Sequence, residues 1–165
     1  MKYENFTTFS VDVKDAIATV TFDYGTVNVQ GQEMLADLNS LSMRLERDRD
    51  TKVVIFQSAH PEIWVAHYDT ELLKDMAIEA VSRENAVLLD LQMVCERISR
   101  VPQATIAKLE GFARGGGHKL ALALDMRFAA RGKYKFMQME VGMGILPCGG
   151  GASRMARQTG LGKAL

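Results

Sequence analysis

Apolar and polar residues alternate from Thr7 to Val13 and again from Ile17 to Phe22, with Lys14-Asp15 between them. A period of two sends one face of each segment to a core, so the pair predicts a β-hairpin. From Gly31 to Arg49 the period lengthens. Met34, Leu35, Leu38, Leu41 and Leu45 share one face of a predicted helix, while Asp37, Arg44, Glu46, Arg47 and Asp48 form its solvated face. Val53-Val54-Ile55-Phe56 is a short unbroken apolar run of the kind buried on both faces in a parallel sheet. Ala59-His60-Pro61-Glu62 then breaks the chain. A short helix is predicted over Thr70 to Met76 and a longer one over Asn85 to Arg100, with Leu88, Leu91, Cys95 and Ile98 facing inward and Pro102 ending it. Ala104 to Leu109 is a second buried strand, His118 to Leu124 reads as helix, and Met126 to Ala130 returns to strand. Gly149-Gly150-Gly151 opens a final helix over Ala152 to Gln158. The recurring strand, turn and helix predict a single α/β domain.

Composition narrows the function. A chain of 165 residues can bury about two thirds of its unfolded surface and needs no disulfide or metal staple. Its 20 basic and 20 acidic residues cancel, which argues against the broad cationic footprint of a nucleic-acid or anionic-membrane binder. A local basic pocket for a phosphorylated ligand stays open. Cys95 and Cys148 cannot build a disulfide framework or a cysteine-only zinc site, and His60, His67 and His118 lack HExxH-type spacing, so no metal is expected. Met1-Lys2-Tyr3-Glu4-Asn5 lacks the apolar core of a signal peptide, and no apolar run approaches the roughly 18 residues of a membrane span. The expectation is a soluble protein of a reducing compartment, the cytoplasm. The ten methionines read as adaptable core filling.

Most glycine motifs fail on spacing. Gly162-Lys163 precedes Ala164, and the first glycine of a phosphate loop would fall on Arg157. Gly142 and Gly144 are followed by Pro147 where a dinucleotide fingerprint needs glycine or alanine. No serine sits in a G-x-S-x-G elbow. Two turn segments do fit one chemistry. Trp64-Val65-Ala66-His67-Tyr68-Asp69 follows the first buried strand, and Gly115-Gly116-Gly117 follows the second. Both lead into predicted helices, whose first N–H groups lack intrahelical partners and carry the positive end of the dipole. Converging, they would make a two-donor oxyanion hole.

The segment Ile106-Ala107-Lys108-Leu109-Glu110-Gly111-Phe112-Ala113-Arg114-Gly115-Gly116-Gly117, continued by Leu120 to Ala130, resembles the second oxyanion segment of the enoyl-CoA hydratase/isomerase, or crotonase, family. Gln138 to Pro147, with Gly149-Gly150-Gly151 and Arg154, resembles the next family signature, and Ala66-His67-Tyr68-Asp69 is similar to the first turn. The resemblance implies a ββα-spiral fold, a coenzyme A thioester substrate with no permanently bound cofactor, and an enolate intermediate. It places the oxyanion donors at the backbone N–H groups of Tyr68 and Gly116, and the adenine end of coenzyme A at Ala66, Tyr68, Asp69 and Thr70.

Two departures shape the expected reaction. Family hydratases hold one water between two glutamates. Glu140 matches the second, but the first position is Lys119, which has donors and no acceptor when protonated. Lys119 is read as a solvated or structural helix residue, or as a modulator of the site, deprotonated if buried. One carboxylate suffices for a proton shuttle, and some isomerases of the family resemble this pattern, so Glu140 is expected as the acid–base residue, its alternative being a strand-end glutamate that caps the next turn. His118 is read as packing under the glycine turn, with acid–base assistance as the alternative. His67 is read as narrowing the acyl entrance or pointing outward, and Asp125 with Arg127 as a structural pair. The second departure is length. Family members usually continue into helices that complete the acyl pocket and the trimer, so residues 1–165 are expected to be a core domain, incomplete at its C-terminus, that associates as a homo-oligomer. Isomerisation or hydration of an enoyl-CoA is the expected activity. The alternatives are a catalytically silent thioester-binding protein and a thioester hydrolase. Neither nucleic acid nor membrane is expected as a partner.

Overall fold

The computed structural model describes residues 3–74, 82–84 and 86–164. The chain makes four passes, each of two strands and a helix. The first is β1 (Phe9–Lys14), β2 (Ile17–Phe22) and α1 (Gln32–Arg47); the second is β3 (Val53–Ser58), β4 (Ile63–Val65) and α2 (Asp90–Ile98). The third is β5 (Ala104–Leu109), β6 (Phe112–Arg114) and α3 (Gly116–Ala123), and the fourth is β7 (Met126–Ala129), β8 (Lys135–Met137) and α4 (Gly151–Thr159), followed by a short α5 (Leu161–Ala164). Single 3-10 turns lie at Thr70–Leu73 and Val141–Met143.

The passes build two sheets. The larger has the order β1-β2-β3-β5-β7, with the hairpin antiparallel and every later neighbour parallel. The smaller, β4-β6-β8, is parallel throughout. After the first pass, each pass gives one strand to each sheet, so the structure is the mixed α/β spiral expected. The hairpin turns at Asp15 and Ala16, one residue beyond the expected turn; both have positive φ, the two-residue geometry whose twist matches the flanking strands.

The pleat and the helical stripe meet as the pattern requires. Ala18, Val20 and Phe22 are fully buried, as are Val54 and Phe56 on β3, and they share one core with Met34, Leu38 and Leu41 of α1. Trp64 packs edge-on to Phe22 at 5.4 Å, and its indole N–H donates to the Phe56 carbonyl at 3.2 Å, so its polar atom is satisfied in the core.

Four local expectations change. The second helix starts at Asp90, because the Gln92 side chain accepts from the Leu89 N–H at 2.7 Å and fixes the first turn there. Leu88 therefore precedes the helix and is exposed rather than inward, while Asn85 lies outside the described residues. The short helix reduces to the turn Thr70–Leu73, with Asp75 and Met76 also outside the described residues. Asp125 and Arg127 do not pair through their side chains. Asp125 accepts from the Thr105 N–H and hydroxyl, both at 2.8 Å, while Arg127 donates to the Leu124 and Ala121 carbonyls at the end of α3. Each is structural on its own account.

Candidate active site

The first turn is held from an unexpected side. Gln30 forms an isolated parallel bridge with Tyr68: its N–H donates to the His67 carbonyl at 2.8 Å, and its carbonyl accepts from the Asp69 N–H at 3.0 Å. In such a bridge the central residue turns its own N–H away from the partner. Ala66 is buried and donates to the Val27 carbonyl, and the Asp69 carboxylate accepts from the Glu71 N–H at 3.0 Å, capping the Thr70 turn. His67 is half-buried, lines the cavity and has Nδ1 2.7 Å from the Tyr68 carbonyl. Burial, with Asp90 and Asp69 nearby, raises the Tyr68 phenol and keeps it protonated.

The second turn arrives at the same place. Gly115 has φ +46° and donates to the Met137 carbonyl at 2.9 Å; this positive φ lets β6 turn sharply into α3. Gly116 is the first residue of α3, where the N–H has no partner within the helix. A Cβ placed on Gly116 would stand 2.8 Å from the Tyr68 nitrogen and 2.2 Å from Gln30 Oε1. Only a residue without a side chain lets the two turns approach so closely. Among the described residues, no hydrogen bond takes up the Tyr68 or the Gly116 N–H.

Both turns border a cavity of about 770 Å³. Leu73, Leu91, Met139, Met143 and Ile145 supply apolar wall, and Thr70 sits at its edge. Lys119 and Glu140 also line it, only 4% and 5% exposed, with Lys119 Nζ 2.6 Å from Glu140 Oε1. Glu140 Oε2 is buried without a hydrogen-bond partner. The carboxylate lies against the glycine turn, since a Cβ on Gly115 would be 3.5 Å from Oε1.

This placement overturns the solvated reading of Lys119. All eight residues of α3 are buried, so the helix has no solvent face. Nor does the Glu140 side chain cap a turn: β8 ends at Met137, and it is the Glu140 carbonyl that accepts from Met143 and Ile145. His118 packs on Phe136 at 4.1 Å, as a residue beneath the glycine turn should. Burial, opposed by Glu140 and reinforced by Arg127 and Lys119, pushes its imidazole down to about 4. At pH 7 the neutral ring is favoured, a state that donates a proton poorly.

Sequence reasoning did not identify Gln30 or the cavity position of Cys148. Gln30 is fully buried, both atoms of its amide lack partners, and it touches both turns. It stands between the periodic segments, where a lone polar residue carries no signal of burial. Cys148 follows Pro147 in a turn, and periodicity says nothing about its wall position. Among the described residues no group of three metal-ligating side chains occurs, and no helix is long and apolar enough to cross a membrane.

A family model described as enoyl-CoA hydratase/isomerase matches residues 12–165. The chain belongs to this family. It is 32% identical over 150 residues to a short-chain-enoyl-CoA hydratase of Clostridium acetobutylicum, covering 90% of this chain and 56% of that protein. It is 33% identical over 137 residues to the mitochondrial methylglutaconyl-CoA hydratase of Mus musculus, covering 83% of this chain and 42% of that one. A crystal structure of a candidate enoyl-CoA hydratase from Streptomyces avermitilis superposes with a TM-score of 0.87 at 35% identity, covering 98% of this chain and 60% of that one. The chain thus spans about half the length of the relatives it matches.

Proposed function

We propose that this chain binds an acyl-CoA thioester and catalyses proton transfer along its acyl chain, favouring isomerisation of a 3-enoyl to a 2-enoyl thioester over hydration. The observation that carries the reading is the meeting of two unpaired N–H groups, Tyr68 and Gly116, beside the buried carboxylate of Glu140. A thioester carbonyl seated on those donors becomes more negative as the neighbouring carbon loses its proton, so the donors favour the enolate over the ground state. Glu140 takes the proton and returns it two carbons along. Ala66, Tyr68, Asp69 and Thr70 hold the adenine end of coenzyme A, which enters as part of the substrate; no resident cofactor is required.

Isomerisation is favoured because hydration needs a second acceptor to orient water. Lys119 supplies only donors, and it already engages one oxygen of Glu140. That engagement also suits a second reading, a thioester-binding protein without turnover. The free thiols of Cys95 and Cys148 suit a cytoplasmic setting. Exposed Val141, Leu146 and Leu161 suit a homo-oligomer.

Calorimetry with a saturated acyl-CoA tests the ligand class, with nicotinamide dinucleotide and a nucleoside triphosphate as controls. Saturable heat with the thioester alone is expected. No heat and no thermal stabilisation at millimolar thioester would remove the reading.

A further inference from the structure

Thioester binding does not by itself require a buried cation against the acid–base carboxylate. Lys119 and Glu140 are both almost wholly enclosed, and their contact at 2.6 Å lies in the cavity wall beside Gly115 and Gly116. Each charge would be strongly disfavoured in that position without the other. The contact is one-sided: Nζ meets Oε1, while Oε2 has no partner. An unrestrained carboxylate turns about its terminal bond and presents either oxygen. This one is pinned.

Resting on the reading of Glu140 as the acid–base residue, we propose that Lys119 is its positioning residue, clamping Oε1 so that the carboxylate keeps one orientation while it handles the proton. The Glu140 carboxylate accepts the proton from C2 of the 3-enoyl thioester. The C–H electron pair enters the dienolate, whose oxygen sits on the Tyr68 and Gly116 N–H groups. The protonated Glu140 then returns the proton to C4, the double bond now joining C2 and C3. The proton count closes on Glu140, and Lys119 neither gains nor loses one. Lys119 thereby holds the carboxylate in one geometry through both transfers.

The test compares wild type, Lys119→Met, Lys119→Arg, Glu140→Gln and the double variant Lys119→Met/Glu140→Gln. Turnover of a 3-enoyl-CoA and affinity for a saturated acyl-CoA are measured for each. Lys119→Met is expected to lower kcat about a hundredfold while the affinity stays within about threefold, because misplacing a catalytic group costs rate more than binding. Lys119→Arg, which keeps a donor cation, is expected to restore kcat to within about tenfold of wild type. In the Glu140→Gln background the methionine substitution should cost nothing further, since a residue acting only through Glu140 has nothing left to position. That background also removes the lone buried carboxylate, so the double variant supplies a folded comparison should the single one not fold.

Full kcat in Lys119→Met would overturn the proposal. So would a further tenfold loss in the double variant, which would mean direct action on substrate. Wild type that binds the thioester without turning it over would also overturn it, leaving the ligand assignment intact. Wild type that does not bind would instead defeat the thioester reading beneath it.

Discussion

Gly116 is the residue on which the site closes. Its Cα faces the Tyr68 nitrogen and the Gln30 amide so closely that a methyl group would overlap both. Gly116→Ala therefore pushes the turns apart and moves one donor relative to the other. Losing a well-placed oxyanion donor typically costs about a hundred- to a thousandfold in rate. Turnover of Gly116→Ala is expected to fall by at least about tenfold, with the fold kept as judged by circular dichroism. Full turnover in a folded Gly116→Ala protein would mean that these two N–H groups are not the hole. The sequence shows the glycine but not what it touches: the Tyr68 turn belongs to an earlier pass, and Gln30, which binds that turn through its backbone, belongs to an earlier one still.

At the scale of elements, α3 carries the most consequences. It is buried on every side, and its two polar residues point to different partners, Lys119 to Glu140 and His118 to Phe136. The His118 imidazole has an ordinary value of 6.5 and lies near 4 in the fold, chiefly through burial. Between those values the unfolded chain binds a proton that the folded chain refuses. Stability is therefore lost as pH falls from about 6.5 towards 4, with a slope of up to about 1.4 kcal/mol per pH unit. Denaturant melts across that range should show this loss in wild type and a flatter profile in His118→Phe, which keeps the ring stack. Identical profiles would contradict the assignment.

The same helix explains which elements were legible. The hairpin and α1 each repeat one period long enough to be read, and β3 and β5 are legible as short buried apolar strands; all four stand where expected, with the hairpin turn one residue later. The strands β4, β6 and β8 have only three residues each, too few for a period, so the small sheet went unread. Without that sheet, the chain gives no reason to bury Lys119. The start of α2 was set too early for a different cause, the reach of the Gln92 side chain to the Leu89 N–H.

For the molecule as a whole, the spiral brings residues from three passes to one cavity: Tyr68 after β4, Gly116 and Lys119 after β6, and Glu140 after β8. The two turns and the carboxylate were legible through the family resemblance, whereas the Lys119–Glu140 contact needed the packed structure. Exposed Val141, Leu146, Leu161 and Phe128 leave apolar surface that self-association would cover. Sedimentation at high micromolar concentration is expected to show a species larger than a monomer, and a well-behaved monomer would contradict this. The central claim is a single-carboxylate proton shuttle. It is tested most directly by measuring 3-enoyl-CoA isomerisation and 2-enoyl-CoA hydration side by side in wild type and Glu140→Gln, with acyl-CoA affinity as the control. The account predicts faster isomerisation than hydration in wild type, and a loss of both by about a hundredfold or more in a Glu140→Gln protein that still binds the thioester. Faster hydration in wild type, or unchanged turnover in Glu140→Gln, would contradict it.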